Sequence, residues 1–219
     1  MSTPILHGLY AITDADLMPD DATLHAAVSA ALRGGARIIQ YRDKSDNHSK
    51  RLRQARLLAA LCREAEVPLL INDDVALAAA CGAAGVHLGQ SDAALTAARH
   101  QLGPEAIIGI TCHDQLPLAL EAEAGSADYV AFGAFFPSRT KPDARPAPLS
   151  LLRQARRQLS CPIVAIGGLS VDNAEQVIAG GADMIAVIHA LFAQPDIEAC
   201  ARTFSAQFDA VDSNYSFDQ

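Results

Sequence analysis

The segment QYRDK brings an amide and two cations into alternate positions, Gln40, Arg42 and Lys44. On an extended chain these three point to one side, and Tyr41 and Asp43 to the other. A face with two cations needs an anionic partner once desolvated, and a bound diphosphate supplies one. A solvated strand-to-loop junction accounts for the same residues equally well. INDD (Asn72, Asp73, Asp74) and GQSD (Asp92) supply carboxylates at the ends of two successive apolar runs. Hard oxygen donors of this kind suit Mg2+, which takes one or two carboxylates and leaves its other positions to water and phosphate oxygens. Asp73 and Asp92 are the expected metal ligands, whereas Asp74 reads as the cap of the following helix. PSRTK places the hydroxyls of Ser138 and Thr140 around Arg139 and adds Lys141, in a loop suited to closing over a phosphorylated ligand. GGLS gives Gly167 and Gly168 before Ser170, an expected helix cap, so that backbone N–H groups could face a phosphate.

No nucleophile stands out. Alternation that brings Thr111 and His113 to one face sends Cys112 to the other, and a lone cysteine in an apolar run reads as a core residue. His87, inside the run GVHLG, reads as a core histidine with satisfied hydrogen bonds.

The elements that must position these groups alternate regularly. Apolar runs occur at 9–13, 36–41, 68–72, 85–89, 107–111, 129–136, 162–168 and 184–190, with helical patterns at 21–33, 50–65, 74–82, 92–101, 115–124, 148–159, 172–180 and 196–209. Eight strand-then-helix units predict a single (β/α)8 TIM barrel over residues 1–210, followed by a flexible tail at 211–219. An open doubly wound sheet is the rival, but the first run, LYAITDAD, lacks a G-x-G-x-x-G turn and no phosphate-loop motif occurs elsewhere. In such a barrel the active site lies at the C-terminal ends of the strands, where the polar residues above are found.

Composition narrows the partners. Seventeen basic against 25 acidic residues give a net charge of -8. That field repels a nucleic-acid backbone, yet leaves room for small phosphorylated substrates in a local basic cluster. Five cysteines without a C-x-x-C pair argue against a disulfide framework or a zinc site. The opening MSTPILHGLY has no basic-then-apolar leader, and no run is long enough to span a membrane, so a cytoplasmic location without membrane attachment is expected. A homo-oligomer is left open.

Taken in order, YAITD, QYRDK, LLINDDVALA, GVHLGQSD, IIGITCH, DYVAFGAFFPSRTK and PIVAIGGLSVDNAEQVIAGGAD resemble the thiamine-phosphate synthase family over almost the whole chain. The resemblance implies a TIM-barrel transferase that joins 4-amino-2-methyl-5-(diphosphooxymethyl)pyrimidine to a thiazole phosphate carboxylate. Thiamine phosphate is formed, with release of diphosphate and CO2. It also implies that Gln40, Arg42, Lys44, Asn72, Thr111 and Lys141 bind the pyrimidine diphosphate, with Arg42, Lys44 and Lys141 stabilising the departing group. Asp73 and Asp92 would hold magnesium, and Ser138, Thr140, Gly168, Ile188 and His189 would receive the thiazole phosphate. The family's chemistry is dissociative, in keeping with a site rich in charge stabilisers and poor in nucleophiles. One departure is His189, where a Ser or Thr is expected. The alternatives are a thiazole tautomerase of the same barrel type, which needs no metal-diphosphate site, and a non-catalytic binder of thiamine intermediates.

Overall fold

The computed structural model describes residues 6–90, 92–137 and 146–215, with backbone only for 92–94 and 210–215. Its eight strands are β1 (Gly8–Ile12), β2 (Ile38–Tyr41), β3 (Leu69–Asn72), β4 (Gly85–Leu88), β5 (Ile107–His113), β6 (Tyr129–Phe132), β7 (Ile163–Ile166) and β8 (Met184–Val187). The helices are α1 (Asp21–Arg33), α2 (His48–Glu64), α3 (Val75–Cys81), α4 (Asp92–Leu102), α5 (Leu116–Ala124), α6 (Ser150–Arg156), α7 (Ala174–Ala179), α8 (His189–Phe192) and α9 (Ile197–Tyr215). All the strands are parallel and close in sequence order, with β1 pairing both β2 and β8. This is the expected (β/α)8 barrel.

Both faces of each strand are covered, which is why runs such as IIQY and MIAV are buried at every position and show no polar alternation. Residues facing outward, among them Leu9, Ile39, Ile71, Val86 and Ile185, pack under the helices in the larger core. Those facing inward, including Tyr10, Ile38, Leu70, Tyr129, Val164 and Met184, form a second cluster that fills the barrel. Each large apolar side chain removed from water in this way contributes about 1.5–3 kcal/mol.

Filling the barrel with aromatics requires space opposite them. Gly109 on β5 stands beside Tyr129 on β6. A Cβ at Gly109 would lie 1.9 Å from Tyr129 Cζ, so only glycine lets the phenol ring cross the interior.

The N-terminal ends of the strands are fastened by a device used twice. Arg99 of α4 pairs with Asp128 at 2.6 Å, and the same Asp128 oxygen accepts from Ile108 N at 2.7 Å. Arg156 of α6 pairs with Asp183 at 2.6 Å, and that carboxylate accepts from Ile163 N at 2.7 Å. In each case an aspartate just before one strand ties a helix to the start of the preceding strand. The N-terminal face thereby carries stability, and the opposite face is left for chemistry.

Several boundaries differ from the sequence reading, among them the following. The sixth strand stops at Phe132, since the chain turns at Gly133 and residues to 136 form a loop against β7. The eighth stops at Val187, and His189 opens the short α8. The last helix continues to Tyr215, past residue 210, and its first turns pack on α1 and α7.

Candidate active site

At the C-terminal mouth of the barrel is a cavity of about 140 Å3 whose polar lining comes from Tyr10, Gln40, Arg42, Asn72, His87 and Thr111. Ile12, Val164, Ile166 and Ile188 add apolar side chains to the lining.

Gln40 and Arg42 reach the cavity together, as alternation requires, and Arg42 N is held by Thr13 Oγ1 at 2.9 Å. Lys44 lies on an exposed loop and does not line the cavity wall. The period of two ends with β2 at Tyr41, after which Asp43 governs the turn. Its side chain is almost fully buried, accepts from Ser45 N at 2.8 Å and meets Lys50 at 3.2 Å. Burial pushes the Asp43 carboxyl upward, but the Ser45 and Lys50 contacts outweigh it and hold the group below its ordinary value.

Asn72 lines the cavity and donates from Nδ2 to Asp73 Oδ2 at 2.8 Å. Asp73 is exposed, with φ of 61°, a left-handed conformation that Asp tolerates better than most residues, and its N–H is tied to His87 O at 2.9 Å. Asp74 turns away from the mouth. It caps α3 through Leu77 N at 2.8 Å and pairs with Arg51 at 2.7 Å. The two adjacent carboxylates therefore face different tasks, one open and one structural. Asp92 begins α4, but its side chain lies outside the described residues, as do Ser138, Arg139, Thr140 and Lys141. Among the described residues, no group of three or more His, Cys, Asp or Glu side chains is arranged to hold a metal ion.

Gly168 has φ of 66°, and a Cβ there would stand 2.4 Å from Phe136 O, so the turn after β7 packs directly on the chain leaving β6. Asn173, the residue before α7, donates to Gly168 O at 3.0 Å and accepts from Ser170 N at 2.8 Å. Ser170 Oγ accepts from Asp172 N at 3.3 Å, as expected of a cap on the turn that leads into the helix. The helix starts at Ala174, and the longer Asn173 side chain bridges back to the glycine turn. Ile188 lines the cavity, and His189 Nδ1 lies 3.8 Å from Asp14 Oδ2 at the mouth of β1.

Strand alternation also breaks at Thr111. The register with β6 shifts between Thr111 and His113, so Thr111 faces the cavity while His113, at φ of 52°, is exposed. Cys112 is fully buried, and burial pushes its thiol up to about 12, which leaves no thiolate for nucleophilic attack near neutral pH.

Sequence reasoning missed the floor of the cavity. Gln40 Nε2 donates to Tyr10 Oη at 2.5 Å, Tyr10 and Tyr129 hydroxyls meet at 2.9 Å, Tyr129 Oη meets His87 Nδ1 at 2.9 Å, and His87 Nε2 meets Thr111 Oγ1 at 2.9 Å. Rings of His87 and Tyr129 stack with centroids 5.6 Å apart. His87 is indeed a core histidine with its hydrogen bonds made, yet it also lines the cavity. The available signal was positional: Tyr10, His87 and Tyr129 each fall on the inward parity of their strands.

Burial lowers the His87 pKa to about 4, against a weaker opposing pull from Asp73. Above about pH 6.5 the imidazole is neutral in folded and unfolded chains alike and adds no pH dependence. Below it the unfolded chain binds the proton first, so this group removes stability as pH falls from about 6.5 toward 4, by at most about 3 kcal/mol. The expected result is that wild type loses denaturation midpoint over that range faster than His87→Gln, whose amide does not titrate. Urea titrations at pH 7.0 and 5.0 measure the difference, and parallel losses in the two proteins would contradict it.

A closed (β/α)8 barrel with a cation-bearing, polar-floored cavity at the C-terminal mouth defines a TIM-barrel protein with a small-molecule site. Within that class, residues 9–191 match the family model described as thiamine monophosphate synthase, and the chain belongs to that family. It is 58% identical over 203 residues to a thiamine-phosphate synthase of Marinobacter nauticus, covering 92% of this chain and 90% of the relative. It is 56% identical over 204 residues to one from Thioalkalivibrio sulfidiphilus, covering 93% and 96%. A solved thiamine phosphate pyrophosphorylase from Pyrococcus furiosus superposes with a TM-score of 0.85 at 35% identity, covering 96% of this chain and 99% of that one.

Proposed function

We propose that this chain is a transferase that joins the pyrimidine diphosphate to thiazole phosphate carboxylate, with Mg2+, to give thiamine phosphate, diphosphate and CO2. Family membership over residues 9–191 supports the activity. The single structural observation that carries the reading is that Arg42, Gln40 and Asn72 line one cavity, with the exposed Asp73 carboxylate hydrogen-bonded to Asn72. A cation, two amides and an open carboxylate suit a diphosphate and its metal better than they suit an uncharged ligand.

Asp73 fits a hard cation. Its backbone is held by His87 O, and Asn72 occupies only one of its oxygens. Asp73 and Asp92 would hold Mg2+, which when bound neutralises charge on the diphosphate oxygens. Arg42, with Lys44 and Lys141, offsets the charge gathering on the leaving group as the carbon–oxygen bond breaks. The bond breaks heterolytically. The thiazole nitrogen then donates its electron pair to the pyrimidine-methyl cation, and loss of CO2 completes the product. Apolar side chains of Ile12, Val164 and Ile166 exclude water that would otherwise capture the cation. Ser138, Thr140, Gly168, Ile188 and His189 receive the thiazole phosphate. His189 stands where Ser or Thr is expected, with its Nδ1 3.8 Å from Asp14 Oδ2.

No helix among the described residues is long and apolar enough to cross a membrane. A cytoplasmic enzyme acting on small phosphorylated substrates, without nucleic acid or membrane partners, fits the acidic surface; homo-oligomerisation is left to measurement.

The test is direct: purified protein with both substrates and Mg2+, with thiamine phosphate and diphosphate quantified, and a parallel reaction containing EDTA. Both products in the first and neither in the second support the proposal. Isomerisation of the thiazole without product would favour a tautomerase, and tight product binding without turnover a silent binder.

A further inference from the structure

We propose that Lys50 is a positioning residue: by engaging Asp43 from α2 it keeps that carboxylate off Arg42 and Lys44, so that both cations stay available to the diphosphate. The inference rests on the synthase reading for the identity of that anion.

The sequence Arg42-Asp43-Lys44 sets one acid directly between two cations. A carboxylate so placed is the nearest counter-ion to either, and a cation already neutralised attracts a phosphate group less. Yet among the described residues neither Arg42 nor Lys44 forms an ion pair. The Asp43 side chain, 1% exposed, meets Lys50 Nζ instead, at 3.2 Å from Oδ2, and its other oxygen accepts from Ser45 N at 2.8 Å. Tyr41 Oη is 3.4 Å from Asp43 Oδ2 but 2.9 Å from Gln54 Oε1, so its single proton goes chiefly to the glutamine. Burial pushes the Asp43 carboxyl up, but the Ser45 and Lys50 contacts bring it below its ordinary value, and it stays charged at neutral pH.

The place of Lys50 is not one that its helix favours. It is the third residue of α2, whose first turn holds no acidic residue, and a cation there opposes the helix dipole. Asn47 caps the helix through Lys50 N at 3.0 Å, which fixes where the side chain begins. The next two cations of α2 have carboxylates of their own: Arg51 pairs with Asp74 and Arg53 with Asp21, both at 2.7 Å.

The backbone of Arg42 does not depend on Lys50. Its N–H donates to Thr13 Oγ1 at 2.9 Å, and Thr13 is itself 1% exposed. Lys50 therefore acts on where the charges of Arg42 and Lys44 go, not on where their backbone lies. Without Lys50 the Asp43 carboxylate would be a buried charge with no cation, and the long side chains on either side of it are the nearest replacements. Each one recruited is lost to the substrate.

Calorimetry with inorganic diphosphate and Mg2+ reads the affinity, and steady-state kinetics reads KM for each substrate. Lys50→Met keeps the stem and removes the charge. It raises the dissociation constant for diphosphate and KM for the pyrimidine diphosphate about tenfold each, with KM for the thiazole phosphate unchanged. Lys50→Arg stays within about threefold of wild type, since a guanidinium also satisfies Asp43. The discriminating protein combines Lys50→Met with Asp43→Asn. Asn still accepts from Ser45 N but carries no charge, so both constants return to within about threefold of wild type. A double variant as poor as Lys50→Met would mean that the ion pair only braces the turn. That result, or unchanged constants in Lys50→Met, would overturn the proposal. Should Lys50→Met fail to fold, Asp43→Asn alone decides: it binds diphosphate no more weakly than wild type, and a loss of about tenfold would overturn the proposal. A wild type that binds diphosphate without making thiamine phosphate would sink the synthase reading and leave calorimetry to decide the role of Lys50. A wild type that binds no diphosphate would overturn the proposal itself.

Discussion

Asp73→Asn lowers turnover on the order of 10^2- to 10^3-fold, while the thermal midpoint moves little. The substitution removes one charge from the rim of the cavity and little else. Asp73 is exposed, and Asn tolerates its left-handed backbone at φ of 61° nearly as well as Asp does. The neighbouring carboxylate gives the control. Asp74→Ala loses the cap on Leu77 N and strands Arg51, whose guanidinium is 2.7 Å from it and mostly buried. That variant loses about 1–3 kcal/mol of stability and keeps its turnover per folded molecule. Steady-state assays across Mg2+ concentrations, with melting curves on the same samples, separate the pair. An Asp73→Asn protein with wild-type turnover would remove the metal assignment, and an unstable one with normal turnover would mean that the two roles are reversed.

Gly109→Ala carries the largest expected effect on stability. The added methyl would sit 1.9 Å from Tyr129 Cζ and 2.3 Å from Cε2, in the interior of a closed barrel where neither strand can move aside. Overpacking of this kind costs about 1–3 kcal/mol. For a chain of this length each kcal/mol lowers the midpoint by about 2–4 °C. Here the ring that must move also holds two hydroxyl contacts, to Tyr10 and His87. Activity should therefore fall along with stability. Adding Tyr129→Leu to Gly109→Ala relieves the clash and restores part of the denaturation midpoint, but not the contact to His87. Urea titrations of the three proteins check this, and an unchanged midpoint in Gly109→Ala would show that the ring has room to shift.

The repeated clamps at the opposite face explain how the site tolerates strain. Asp128 and Asp183 each bind an arginine and a strand N–H, so the barrel is fastened at the end away from the chemistry. Positive φ angles at Asp73, His113 and Gly168 all fall at or just after the C-terminal ends of β-strands. Rigidity at one end and unusual backbone at the other is the division of labour expected of this architecture.

Much of this was legible without coordinates. Eight apolar runs separated by amphipathic stretches dictated a barrel, because strands buried on both faces need helices between them. The polar residues after those runs were legible as a site for the same reason: a barrel presents the ends of its strands together. Gln40, Arg42, Asn72, Thr111 and Ile188 are gathered on one cavity although they come from four different strand ends. Asp74 was readable as a cap from its place directly before a helix. That Lys44 leaves the side shared by Gln40 and Arg42 was not legible, because β2 ends at Tyr41 and the buried Asp43 side chain, not the pleat, sets the direction of the chain beyond it. Ser170 was readable as a cap, and its Oγ accepts from Asp172 N, but the reach of Asn173 back to the glycine turn was not.

What the sequence alone determined was therefore the order of elements, the parity of each strand and the chemical types at each strand end, all of which follow from local periodicity. Only the tertiary structure decided that Tyr10, Gln40, His87, Thr111 and Tyr129 form one hydrogen-bonded line across the barrel. Tyr10 and Tyr129 are 119 residues apart in the chain. Their contact depends on closure of the sheet, on the registers between strands and on the missing side chain at Gly109, and no local pattern encodes how those three combine.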